Sequence, residues 1–211
     1  MRIEDAGDSL AVAGRYGAVA VSSGDASSSG YAESDGVGVC PVGHDPTRSW
    51  VIGPAEKLPA ADAQQAGRNE EAWRLADIRA GLPQIYAATS ETFVAQMLNL
   101  DLLDGISFTK GCYTGQEIIA RTQHLGRIKR RMFRLQLPQG DWQVGQAVRL
   151  VDGRQGRLTE VAQAGERVEA LAVLSIEAGA AVSSDAPTEI LVDAAELRLP
   201  YTMPERVSQG G

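Results

Sequence analysis

From Met132 onward the sequence breaks into six short strand-like runs: Met132–Leu137, Ala147–Val151, Gly156–Val161, Val168–Leu174, Glu189–Val192 and Glu196–Leu199. Glycine-bearing turns separate several of them. Short strands at this spacing build small closed or stacked all-β units, so residues 131–203 are expected to form a small antiparallel β-barrel or sandwich. The preceding residues, 1–130, read as a separate region of mixed character, and 204–211 as a flexible tail. The fold class expected for the whole chain is α+β.

In the first region, Ser9–Ala13, Tyr16–Val21 and Trp50–Ile52 have strand-like apolar content, and Ser22–Gly30 is a Ser/Gly-rich loop. Ala55–Gly67 is alanine-rich and helix-compatible. A clearer helix is expected from an Asn69 N-cap, with Glu70 and Glu71 at its positive end, to Ala80, where Gly81 and Pro83 stop it. A second helix is expected from Ser90, with Phe93 and Met97 one turn apart on one face. Thr114-Gly115-Gln116-Glu117 is a capping-box pattern that should launch a short helix through Ile118, Ile119 and Arg121.

A chain of 211 residues with net charge −7 can bury a sizeable core and does not favour nonspecific binding to nucleic acid over its whole surface. The two cysteines, Cys40 and Cys112, are too few for a disulfide framework and suit a reducing compartment. The first eight residues carry three acids and no apolar core, unlike a secretory signal, and no apolar run reaches bilayer length. A cytoplasmic location without membrane association is therefore expected.

The stretch with the most chemistry is Lys110-Gly111-Cys112-Tyr113-Thr114-Gly115-Gln116-Glu117. Its glycines permit a tight loop and close approach of another molecule. Cys112 lies just before a helix N-terminus and close to Lys110, and both favour thiolate over thiol. Spacing alone fits equally a small buried thiol whose neighbouring glycines merely serve the turn.

These eight residues resemble the K-G-C-Y-x-G-Q-E signature of the YgfZ family at every fixed position. The similarity extends to Trp73, Asp77–Pro83, Asn99–Asp101, Gly105–Phe108 and, more weakly, Leu199–Tyr201. The resemblance implies a fold like that of the glycine-cleavage T-protein: α/β layers around a folate cavity, then a C-terminal β-barrel. It also implies binding of tetrahydrofolate or a derivative, and transient support of iron–sulfur client enzymes, tRNA-modifying ones included. Cys112 would be the functional thiol, assisted by Lys110, and Trp73 would stack on the pterin. Relative to that family the chain begins inside the fold, so its folate region is expected to be N-terminally incomplete. The T-protein itself typically carries a folate-contacting glutamate where this chain has Arg79. The implied role is accordingly an accessory one rather than that of a conventional enzyme, with one-carbon (aminomethyl) transfer as the alternative. A monomer that does not itself contact nucleic acid is expected.

Between Ile118 and Gly140 no acidic residue occurs, whereas Arg121, Arg127, Lys129, Arg130, Arg131 and Arg134 do. Such a patch on an acidic protein suits a folate tail, a phosphate or an acidic partner, and equally suits a solvated linker. Cys40 and His44 lack the paired spacing of a structural metal site, so no metal is expected. Gly36-Val37-Gly38 fails the dinucleotide pattern at Pro41.

Overall fold

The computed structural model describes residues 7, 9–16, 31–43, 45–58, 63–108, 110–111, 115–124, 128–178 and 189–204. The chain divides into two compact units at Trp73/Arg74. The architecture is mixed α+β, mostly sheet, with few helices. Among the described residues no helix is long and apolar enough to cross a membrane.

The first unit holds a four-stranded sheet of β1 (Ala11–Tyr16), β2 (Ala32–Ser34), β3 (Val37–Val42) and β4 (Asp45–Gly53) in the order β1-β4-β3-β2. Every pair is antiparallel, and β3 is irregular at Pro41/Val42, where proline cannot donate to the ladder. The register sets Gly14 opposite Trp50 and Tyr16 opposite Arg48, so these four share one face. The expected strand Tyr16–Val21 and loop Ser22–Gly30 lie outside the described residues, apart from Tyr16 at the end of β1.

Helix α1 spans Ala63–Ala80 and passes through the boundary between the units. It starts six residues before the expected Asn69 cap. Once the Ala63–Ala66 turn has nucleated, adding residues is cheaper than starting a new helix at a cap, so Asn69 is absorbed into the interior. The C-terminal stop is as read: Gly81 takes φ 67°, and the Gly81 and Leu82 N–H groups bond the Ile78 and Asp77 carbonyls.

The second expected helix does not form as an α-helix. Glu91 adopts φ 57°, and only a 3₁₀ turn, Ala95–Leu98, follows, closed by Asn99 in the left-handed region. Thr92, Phe93 and Val94 lose side-chain freedom in a helix, and a left-handed residue at Glu91 breaks its start. Phe93 and Met97 nevertheless pack against one cluster, as the spacing suggested. Helix α2 covers Gln116–His124.

The six strands after residue 130 are all present: β5 (Arg130–Leu137), β6 (Ala147–Leu150), β7 (Gln155–Ala164), β8 (Arg167–Ser175), β9 (Ile190–Val192) and β10 (Ala195–Leu197). They form one sheet in the order β10-β5-β8-β7-β6-β9. A purely antiparallel arrangement was expected, but β6 and β9 pair in parallel. These two strands are not consecutive, and the intervening β7 and β8 supply the long return a parallel pair requires.

Strands β9 and β10 lie at opposite edges of this sheet, yet only Asp193 and Ala194 connect them. Laid flat, six strands would hold their outer members roughly 24 Å apart. The connector reaches at most about 11 Å, so the sheet must curl on itself. The curl encloses Leu135, Leu137, Val148, Leu158, Ala170 and Leu174, all essentially inaccessible. The opposite face carries Met132, Ala162, Leu171 and Val173, covered by Ile78 and Leu75 of α1 together with Phe93, Met97 and Leu98.

Candidate functional site

The sequence marked two places, Trp73 and the loop from Lys110 to Glu117, and each is described within its own unit.

Trp73 lies on α1 against the face of the four-stranded sheet that carries Gly14, Tyr16, Arg48 and Trp50. Its ring stands 4.9 Å from Trp50 in a tilted pair and 5.5 Å from Tyr16 edge-on. The Arg48 guanidinium lies 4.7 Å from the Trp73 ring centroid. Arg48 is fully buried, its Nε donating to Asp45 Oδ2 at 2.6 Å and its Nη1 to the Trp73 carbonyl at 3.2 Å. Burial would raise the Asp45 carboxyl, but hydrogen bonds from Thr47 and Arg48 outweigh it and hold the pKa below the ordinary value. A charged anchor therefore fixes the indole from the sheet side, with a cation–π contact added to the hydrogen bond.

Gly14 makes this packing possible. A Cβ there would come within 2.7 Å of the Trp73 ring. With hydrogen alone at that position, the indole settles directly on the strand. Gly14, Arg15, Tyr16, Trp50, Glu70 and Trp73 together line an open concavity of about 450 Å³. Sequence reading found only Trp73 here. Tyr16 and Trp50 were seen as strand residues, but strand register, which brings them to one face, is absent from local pattern.

In the motif segment, Cys112, Tyr113 and Thr114 lie outside the described residues, as does Arg127. Lys110 is exposed, with its N–H on Ser107 Oγ at 3.2 Å. Gly115 has φ 86° and leads into α2, so glycine is needed there for conformation. Among the described residues, none lies within 4 Å of where a Gly111 Cβ would stand. Gln116 is half-buried and Glu117 is exposed in the first turn of α2.

Helix α2 is held from below. Gln96, wholly buried in the 3₁₀ turn, donates its Nε2 to the Ile119 carbonyl at 2.8 Å. The Gln96 carbonyl in turn accepts from Arg131 Nη1 at 3.0 Å. Arg131 grips Asp101 through two bonds, 2.6 and 2.8 Å, with both side chains nearly inaccessible. Asn99 adds bonds to the Met132 carbonyl at 2.8 Å and to Tyr201 Oη at 3.2 Å. Tyr201 donates to the Gly81 carbonyl at 3.2 Å and stands where any side chain at Gly81 would have to be. Gly81, Asn99, Asp101 and Tyr201, from the flanking segments singled out by resemblance, thus belong to one hydrogen-bonded network that reaches α2 through Gln96.

Among the described residues of the basic run, Arg131 is set apart from the rest. Consecutive strand residues point to opposite faces, so Arg130 and Arg131 part company. Arg131 turns inward to Asp101, while Arg130 remains half-buried, Lys129 is exposed, and Arg121 is exposed on α2. Arg134 and Arg79 both donate to Glu169, at 2.6 and 2.9 Å for the closest contacts. Among the described residues no three metal-ligating side chains come together.

No protein-family model matches the chain. Curated relatives do match. A segment of 65 residues, 31% of this chain and 20% of the relative, is 52% identical to the tRNA-modifying protein YgfZ of Colwellia psychrerythraea. The protein of that name from Hamiltonella defensa is 43% identical over 89 residues, 42% of this chain and 24% of its own. That from Serratia proteamaculans is 48% identical over 83 residues, 39% and 25%. The match spans a fifth to a quarter of the length of these relatives. Over these segments, and at the eight-residue signature and its flanks, the chain is similar to YgfZ proteins.

Proposed function

We propose that this chain cradles a folate and presents a functional thiol in support of iron–sulfur client enzymes, among them enzymes that modify tRNA. It acts in the cytoplasm on a T-protein-like frame, and its link to tRNA runs through its clients. The relatives' name, tRNA-modifying protein YgfZ, supports the connection to tRNA. The signature around Cys112 supports the thiol.

The observation that carries the folate reading is the aromatic concavity around Trp73. Its volume of about 450 Å³ falls within the roughly 300–1,000 Å³ usual for small-molecule sites. Trp73, Trp50 and Tyr16 offer flat apolar surface to a fused heteroaromatic ring. Glu70 accepts hydrogen bonds from the N–H groups along a pterin edge, and the exposed Arg15 receives a carboxylate of the glutamyl tail. The groups present fit tetrahydrofolate in shape and chemistry.

One-carbon transfer is the weaker reading. Arg79 occupies the position where a carboxylate is expected for that reaction, and its guanidinium is tied to Glu169.

Tryptophan emission during a tetrahydrofolate titration tests the proposal. Saturable quenching is expected, and it should disappear in Trp73→Ala; a flat titration of the unaltered chain would overturn the folate reading. For the thiol, Cys112→Ala is expected to keep the fold and lose client support, and undiminished client activity would refute its role.

A further inference from the structure

A second recess lies in the other unit, on the outer face of the curled sheet, with a volume of about 50 Å³. Phe93 and Thr92 form one wall, Arg130 and Arg157 reach it from the strands, and Glu189 reaches it from just before β9. Strand register explains why two arginines meet there. Arg157 of β7 pairs with Val173 of β8, and Val173 pairs with Met132 of β5. Arg130 is two residues from Met132 and so shares its face. The two guanidinium-bearing strands flank β8 and aim their cations to the same side.

The charges in this recess are not balanced. Among the described residues Arg130 makes no ion pair, and Arg157 bonds only the Gly145 carbonyl, through Nη1 at 2.8 Å. Glu189, the one acid in the lining, already serves Arg149, with contacts of 2.9 and 2.7 Å. Two like charges share a partly enclosed space where water screens them less than at an open surface. The volume has room for roughly four or five heavy atoms.

We infer that this recess binds a small oxyanion, the phosphoryl group of a phosphate or phosphate ester, between Arg130 and Arg157. A guanidinium presents N–H donors in a planar fork that matches such oxygens. A tetrahedral phosphoryl group presents acceptors towards both arginines at once, which the two oxygens of a carboxylate do less well. The site is independent of the Trp73 concavity and of the folate reading.

The test is thermal unfolding and calorimetric titration of the whole chain with inorganic phosphate, with chloride at matched ionic strength and acetate as comparison probes. Phosphate should bind saturably and raise Tm, more than either comparison. Arg130→Gln should weaken phosphate binding at least about tenfold, and Lys129→Gln, which removes the adjacent exposed cation, should leave it unchanged. Equal effects of phosphate and chloride, binding as tight in Arg130→Gln as in the parent, or acetate binding tighter than phosphate would each overturn the assignment. Should Arg130→Gln fail to fold, amide shifts of the unaltered chain decide. Phosphate must move the N–H signals of Phe93, Arg130 and Arg157, and shifts confined elsewhere refute the site.

Discussion

Glu160 and Glu169 point to the same face of neighbouring strands β7 and β8, and their carboxyls are displaced in opposite directions. Glu160 is fully buried beside Tyr86, whose Oη donates to it at 2.6 Å. Burial dominates there and raises its pKa, against the lowering effect of Tyr86 and Arg74. Burial also works to raise Glu169, but the hydrogen bonds from Arg79 and Arg134 outweigh it and the pKa falls. One carboxyl answers to desolvation and the other to two guanidinium groups.

These displacements set opposite slopes of stability against pH. Glu169 titrates lower folded than unfolded, so its contribution is full above the ordinary carboxylate value of 4.5 and is lost as pH falls through the folded value. Glu160 titrates higher folded than unfolded, so its contribution is full below 4.5 and is lost as pH rises through its raised value. In urea unfolding at neutral pH, Glu169→Gln should lose on the order of 1–2 kcal/mol and show a shallower acid limb. Glu160→Gln should be neutral or stabilising at neutral pH. A Glu160→Gln protein much less stable than the parent at pH 7 would contradict this account.

Gly14 bears on the aromatic concavity through sterics alone. Gly14→Val places two methyl groups where the Trp73 ring lies, since even a bare Cβ would approach within 2.7 Å. Overpacking of this kind costs about 1–3 kcal/mol. The expected outcome is a changed near-ultraviolet dichroism and tryptophan emission, with weaker quenching by tetrahydrofolate. Spectra identical to the parent's would show that the indole does not rest on β1.

The Arg131–Asp101 pair is predicted to be the most costly side-chain contact to break. Asp101→Ala leaves a buried guanidinium without its carboxylate, a loss of about 3–5 kcal/mol. Arg131→Met combined with Asp101→Ala removes both charges and should be less damaging than Asp101→Ala alone. Equilibrium denaturation of the two variants checks the order, and a double variant worse than the single would refute it.

Much of this protein is legible in its sequence. The six strands after residue 130 follow from short apolar runs between turn residues, the end of α1 from Gly81, and the helix expected through Ile118, Ile119 and Arg121 is present as α2, because turns, helix stops and period-two alternation are local in their physics. The resemblance to YgfZ proteins was equally readable, since the signature is contiguous. Long-range pairing was not. That β6 and β9 run parallel, that Tyr16 and Trp50 meet Trp73, that Arg131 turns inward while Arg130 does not, and that Tyr201 links Asn99 to Gly81 all depend on register and on contacts up to 120 residues apart. Such contacts are selected by the packing of the whole unit and leave no local periodic trace, so only the tertiary structure decided them.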